Sequence, residues 1–328
     1  MDNKVLQDRN DKKERPWRQK KVRSLKIADS FERLGYKKKA IRIRYCGDYL
    51  AFVRDLETGR KILDAANFCR ERLCPMCQWR KSLKVFWQVS RVMDKVQEDN
   101  QRLRPIFLTL TLRNCSGADL AETVSAVFKG WNLLWKQRKM ERIGAGWFRA
   151  LEITYNRKED TFHPHIHAII LVDQSYFKGK DYMQTVEWVQ LWRTVLRLDY
   201  DPICDVRRVY NKAGKRKAVA EVAKYTLKDT EFATNDKDLT DKLVKILSTA
   251  LRGRRLFAFG GIMKDAAKAL GVEELAEGDL VHIDEEEPTV RGDVAIALEV
   301  YRWNFGVANY IRDDNFSFSK RDMLTKPD

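Results

Sequence analysis

Three of the four histidines in this sequence fall within five residues, His163-Pro164-His165-Ile166-His167. Alternate side chains of a strand share a face, so His165 and His167 point together while Ile166, Ala168 and Ile170 enter a core. On the preceding segment Glu152 shares its face with Thr154 and opposes Leu151 and Ile153. Two imidazoles and one carboxylate make a three-ligand site that keeps positions open for water or a substrate oxygen, as a catalytic divalent ion requires. Ligand hardness and the need to neutralise oxyanions point to Mg²⁺ or Mn²⁺, with imidazole favouring Mn²⁺.

Cysteines form a second cluster. Cys46, Cys69, Cys74 and Cys77 follow the pattern C-x22-C-x4-C-x2-C, and Cys74-Pro75-Met76-Cys77 can set two thiolates on one tetrahedral ion, which predicts structural Zn²⁺. The competing readings are ordinary buried thiols and a redox CxxC, the latter without a surrounding βαβ pattern to support it. Cys115 and Cys204 stand apart and read as packing residues. The third constellation is Glu221-Val222-Ala223-Lys224-Tyr225-Thr226-Leu227-Lys228. At about 100° per residue, Val219, Val222, Ala223 and Thr226 form one helical face, and Glu221, Tyr225 and Lys228 gather on the other. That face offers a carboxylate, a phenol and an ammonium; alone, it would read as a solvated helix surface.

Elements must hold these groups. Ile106, Leu108, Leu110 and Leu112 alternate with Phe107, Thr109 and Thr111, the period of a strand. Ser116-Gly117-Ala118-Asp119 supplies a helix start, followed by Leu120, Val124, Val127, Phe128, Trp131, Leu134 and Trp135 at helical spacing. Trp147–Tyr155 and Phe162–Val172 read as strands around a polar hairpin loop over 156–160; a helix over about 182–196 and a strand over 203–209 follow. The order β-α-β-β-α-β predicts an α+β fold: a ferredoxin-like split βαβ antiparallel sheet with both helices on one face, the other face free for a site. Upstream, Ala40–Cys46 and Tyr49–Asp55 read as a hairpin turning at Gly47-Asp48.

Net charge over the 328 residues is +16, which favours a partner with dense negative charge, nucleic acid first. No apolar run approaches the ~20 residues of a membrane span, and the first residues have no signal-like stretch, so a cytoplasmic protein without a membrane partner is expected. Residues 1–44 hold 16 basic and 6 acidic side chains, whereas 271–300 hold 10 acidic and one basic. The first block reads either as a solvated tail or as a DNA-contacting arm, with Trp17 a potential stacking group; the second, with Glu285-Glu286-Glu287-Pro288, reads as a protein-facing surface. Four regions result: a basic N-terminal arm over 1–39, a Cys-rich zinc-binding module and following helix over 40–100, a catalytic domain over 101–265, and an acidic C-terminal extension over 266–328.

These motifs together resemble the rolling-circle replication initiators of the HUH endonuclease superfamily. His165-Ile166-His167 is the His-apolar-His element, Phe107-Leu108-Thr109-Leu110-Thr111 the strand ahead of it, and Tyr225-Thr226-Leu227-Lys228 the downstream Tyr-x-x-Lys. The likeness is nearest to the plasmid Rep family of Gram-positive bacteria, which uses one tyrosine and a glutamate four residues before it. It covers about 40–265, including Gly260-Gly261-Ile262-Met263-Lys264. The resemblance implies a metal-dependent nickase and strand transferase that cleaves one strand at the double-strand origin. Tyr225 forms a 5′-phosphotyrosine and leaves a 3′-hydroxyl primer, Glu221 activates water for termination, and Lys228 assists the phenol. His163 departs from a plain histidine pair and competes with Glu152 for the third ligand position. Single-stranded or extruded-hairpin origin DNA with flanking duplex, a host helicase and a host polymerase are the implied partners, and an oligomer is compatible. Trp147, Phe148 and Tyr155 are candidate base-stacking groups, and Arg207-Arg208, Lys212–Lys217 and Arg252–Arg255 candidate phosphate contacts. An HUH transposase shares this chemistry; a conjugative relaxase is disfavoured by motif order. A non-catalytic zinc-containing DNA-binding regulator accounts for the charge and cysteines but leaves the histidines and the Glu221/Tyr225 pair unused.

Overall fold

The computed structural model describes residues 4–7, 9–10, 13–224, 228–272, 278–283 and 296–319. Tyr225 and the acidic run over 284–290 lie outside the described residues. Along the chain, helices α1 (Trp17–Arg33) and α2 (Lys37–Arg44) precede strands β1 (Tyr49–Asp55) and β2 (Lys61–Ala66) and the long helix α3 (Pro75–Asp99). Next come β3 (Leu103–Thr111), α4 (Leu120–Leu134), β4 (Gly144–Asn156), β5 (Thr161–Asp173), α5 (Thr185–Leu196) and β6 (Cys204–Arg208). They are followed by α6 (Asn211–Val222), α7 (Lys237–Ala250), β7 (Phe257–Gly261), α8 (Ile262–Ala269), β8 (Ile296–Asn304) and β9 (Asn309–Arg312), with shorter pieces between. Among the described residues, no helix is long and apolar enough to cross a membrane.

The chain gathers into two compact units. One comprises Ser82–Glu231 and Lys245–Gly278. Its sheet is antiparallel throughout, in the order β6-β3-β5-β4-β7. The alternation read from the sequence places β3, β4, β5 and β6 as expected; the edge strand β7 is an addition. On one face Ile106, Leu108, Ile166 and Ile170 pack under α4 and α5, where Trp131 meets Trp147 edge-on at 5.1 Å and the Trp192 indole donates to the Thr111 carbonyl.

The other face is not free, contrary to the sequence expectation. Val85, Val89, Val92 and Met93 of α3, Val219 and Val222 of α6, and Met263 and Ala267 of α8 form one core with Phe107, Phe148, Ile169 and Leu171. The spacing of the α3 valines, one helical turn apart, is the stripe that covers this half of the sheet. Only the end of the face bearing the histidines is left to the polar groups. Trp147 and Phe148, expected as stacking candidates, are instead packing residues: Trp147 sits between Trp131 and Trp135, and Phe148 is fully buried. Tyr155 packs on Phe162 and donates its hydroxyl to Asp160.

The second unit comprises residues up to Lys81, Phe232–Val244 and the chain from Asp279. Its sheet runs β9-β8-β1-β2, so part of the expected C-terminal extension pairs with the strand beside the cysteines rather than forming a separate tail. Residues 17–33 of the expected basic arm form α1, and Trp17 is buried edge-on to Phe52 and Trp79 rather than offered for stacking. The expected hairpin at Gly47-Asp48 is also overturned. Lys37–Arg44 is a helix because Ala40 and Ile43 are buried three residues apart while Ile41 faces solvent, a period that resembles alternation over so short a stretch. The turn into β2 lies at 56–59, where the Asp55 carboxylate accepts from the Glu57 and Thr58 amides and Gly59 takes a positive φ.

Candidate active site and cysteine cluster

In the antiparallel register Glu152 on β4 lies opposite His165 on β5, and Ala150 and Thr109 flank His167 on either side. Directly paired residues share a face, so backbone pairing alone brings Glu152, His165, His167 and Thr109 together. The small Ala150 leaves room for the Glu152 side chain to reach both rings. Glu152, His165 and His167 are 8, 8 and 9% exposed, so the site is recessed but open to a small ion.

The Glu152 Oε2 stands 2.8 Å from His167 Nε2 and 3.4 Å from His165 Nε2. Ligands about 2.1 Å from an octahedral Mg²⁺ stand about 3.0 Å apart, so these separations suit one ion. Both rings are held from behind. His167 Nδ1 is 2.9 Å from the Thr109 hydroxyl, and His165 Nδ1–H donates to the His163 carbonyl at 3.0 Å. A carbonyl only accepts, so this bond fixes the proton of a neutral His165 on Nδ1 and aims the Nε2 lone pair at the Glu152 carboxylate. Two electron-rich atoms facing each other call for a cation between them. Burial opposes ionisation of Glu152, but His165 and His167, when protonated at Nε2 where an ion would otherwise sit, donate to it, outweigh that burial and hold the carboxyl well below its usual range. The site therefore carries the negative ligand that a divalent ion needs.

The third histidine is not in this group. Glu152, His165 and His167 offer ligand atoms within 4.8 Å of one another, and His163 does not join them; its carbonyl orients His165 instead. Its ring titrates below the ordinary value because burial and the neighbouring His165 both disfavour charge. Thr109 was not singled out from sequence as a site residue, although its place in the alternating strand, on the polar side of β3, was the available signal. Glu231 was also missed. Its carboxylate accepts from the Tyr155 amide at 3.2 Å and stands 3.8 Å from the Lys228 ammonium. Burial raises its pKa.

Glu221 and Lys228 do not share one continuous helix. The helix α6 ends at Val222, where the Lys224 amide donates to Glu221 three residues back rather than four, a tightened last turn. Glu221 pairs with Lys224 at 2.5 Å. Lys228 lies just before a four-residue helix over Asp229–Phe232. Val219, Val222 and Ala223 are buried as the periodicity predicts. Tyr225 and Thr226 lie outside the described residues.

The four clustered cysteines converge in the second unit. Cys46 Sγ and Cys69 Sγ stand 3.5 and 3.6 Å from Cys77 Sγ, and all four sulfurs lie within 4.8 Å of one another. These separations are far beyond a disulfide, and four thiolates about 2.3 Å from one zinc stand about 3.8 Å apart. Backbone amides of Cys69, Arg70 and Glu71 point at Cys46, Cys77 and Cys69 sulfurs. Burial pushes the Cys46 thiol up; burial also opposes the Cys74 thiolate, but bonds from the other three cysteines hold it down. The donor set fits a tetrahedral ion. Lys21 from α1 is fully buried beside it and donates to the Arg44 and Cys46 carbonyls at 2.7 and 2.9 Å. Cys115 and Cys204 lie outside this cluster.

Sequence comparison shows the family of the chain. The family described as replication protein matches residues 60–311. This chain belongs to the replication protein family. A Bacillus amyloliquefaciens protein named Protein rep is 40% identical over 91% of this chain and 94% of its own length. A Protein rep of Streptococcus pneumoniae serotype 2 is 36% identical over 94% of this chain and 95% of its own. A third Rep protein, from a Bacillus species, is 42% identical over 76% of this chain and 86% of its own. No solved structure matches the chain. The family match spans both units of the Rep chain, the cysteine cluster beyond Cys46 and the Glu152/His165/His167 group together.

Proposed function

We propose that this Rep protein initiates rolling-circle replication of a plasmid by nicking one strand of the double-strand origin with Tyr225. The observation that carries the reading is the convergence of His165 Nε2, His167 Nε2 and Glu152 Oε2 in a chain of the replication protein family. The strand order β6-β3-β5-β4, with helical connections between β3 and β4 and between β5 and β6, supports a split βαβ core of the HUH kind.

His165, His167 and Glu152 would hold Mg²⁺ or Mn²⁺, which neutralises charge on nonbridging phosphate oxygens. The Tyr225 phenolate oxygen bonds to phosphorus while the bond to the 3′-oxygen breaks; the departing oxygen takes a proton and becomes the primer terminus. One phosphodiester is exchanged for another, so the step is reversible and strands can be rejoined. Lys228 favours the phenolate by its charge. Glu221, as a general base, passes a water proton away when the returning strand is released, so that a second covalent link is not needed. The cysteine cluster would hold structural Zn²⁺. A 3′-hydroxyl at the nick is a substrate for a host polymerase, and unwinding from it needs a helicase.

Incubating the protein with its supercoiled parent plasmid and Mn²⁺, then digesting the DNA, tests this reading. Wild type should yield a nicked circle and a protein-linked nucleotide. Tyr225→Phe should yield neither, and Glu221→Gln should nick but accumulate the adduct. Absence of any adduct with wild type would favour the non-catalytic regulator, and loss of the nick itself in Glu221→Gln would overturn the division of roles.

A further inference from the structure

A second basic feature lies outside the metal-ligand groups. Residues 17–45 carry 11 basic and 2 acidic side chains, yet they are folded. The helix α1 ends in a turn over Leu34-Gly35-Tyr36. Gly35 has φ +83°, the Tyr36 amide donates to the Phe31 carbonyl, and Tyr36 stacks edge-on against Phe31. After this three-residue turn α2 begins. Arg44 bridges back to Asp29 and Glu32 of α1, and Lys21 of α1 donates to the Arg44 carbonyl. Two helices joined by a short glycine-containing turn, with the end of the second lying back along the first, form an αα-hairpin.

The outward face of α2 is a separate observation. At about 100° per residue, Lys37, Ile41, Tyr45, Lys38 and Arg42 fall within one arc, and Ala40 and Ile43 lie on the opposite, buried side. Ile41 is 57% and Tyr45 51% exposed. The two acidic residues of the pair both bond to Arg44, and Arg42 is tied to Glu71. Lys37 and Lys38 make no ion pair among the described residues. A helix with its side chains is about 10–12 Å across, which the roughly 12 Å wide DNA major groove admits. A face that combines free ammonium groups with an apolar residue and a phenol can hold phosphates at its rim and meet base edges at its centre.

We propose that α1 and α2 form a duplex-DNA-binding element, with the Lys37, Lys38, Ile41 and Tyr45 face of α2 lying in the major groove. The assignment rests on DNA being the partner, as the replication reading holds, but not on Tyr225 chemistry. Each lysine on a phosphate contributes about 0.9 to the slope of log affinity against log salt. The double variant Lys37→Ala/Lys38→Ala in the full chain should therefore lower that slope by about 1.8 on a fluorescein-labelled 30-base-pair mixed-sequence duplex, read by anisotropy between 50 and 200 mM salt. Binding of the corresponding single strand should be unchanged. Lys37→Arg/Lys38→Arg should restore the duplex slope. Circular dichroism of the exposed-site variants should match wild type, which separates loss of binding from loss of fold. An unchanged duplex slope in the alanine variant overturns the proposal. Equal loss on duplex and single strand does so too, because it would mark a general polyanion surface. Failure of wild type to form the Tyr225 adduct would sink the nickase reading while leaving this duplex measurement to stand or fall by itself.

Discussion

Thr109→Val is the sharpest probe of the histidine-carboxylate site, because it changes neither a ligand nor a charge. Its hydroxyl is 2.9 Å from His167 Nδ1, and its removal leaves the ring without the partner that turns Nε2 toward Glu152. Loss of such an orienting bond typically costs 10–100-fold in metal affinity, about 1.4–2.8 kcal/mol. Valine nearly matches threonine in shape, so the effect on folding should be confined to one lost hydrogen bond, about 0.5–1.5 kcal/mol. Titration of Mn²⁺ followed by electron paramagnetic resonance of the free ion reads the affinity directly, and thermal melting reads the stability. Thr109→Ser, which keeps the hydroxyl, should bind close to wild type, and His167→Ala should bind far more weakly than either. Equal Mn²⁺ affinity in Thr109→Val and wild type would refute the orienting role. Equal affinity in His167→Ala would refute the site.

Other outcomes follow from the same geometry. Cys74→Ser should reduce zinc from one to none per purified chain, measured by mass spectrometry of the metal, and should lower helical content. Lys21→Met leaves the Arg44 and Cys46 carbonyls without their buried donor; it should cost about 1.5–3 kcal/mol in a chemical melt and speed zinc release to a chelator. At Gly130 an added Cβ would lie 2.6 Å from Trp192 and 2.7 Å from Leu196, so Gly130→Val should destabilise the fold by about 1–3 kcal/mol through overpacking, seen as a lower melting temperature.

The polar clusters were legible because they depend on short-range periodicity. Alternation on β5 puts His165 and His167 on one face whatever the rest of the chain does, and four cysteines within 32 residues need only local turns to meet. The same rule failed over Ala40–Cys46, where two isoleucines two apart fit a strand as well as a helix. Only burial of Ala40 and Ile43 against neighbouring elements decides for the helix. Trp17 shows the related limit: a basic surrounding sequence says nothing about whether an aromatic ring meets solvent, and Phe52 and Trp79 bury it.

By itself, the sequence determined the residue types available for chemistry, the order of strands and helices from β3 to β6, and the charge that favours nucleic acid. Tertiary structure decided which third candidate ligand stands with the histidines. Cross-strand pairing sets Glu152 opposite His165, while the His163 carbonyl, rather than its ring, serves the site. It also decided that both sheet faces are covered and that the strand Ile296–Asn304 returns to pair with β1. Those outcomes depend on contacts between residues tens to hundreds of positions apart, where local periodicity carries no information and burial of apolar area selects among many possible pairings.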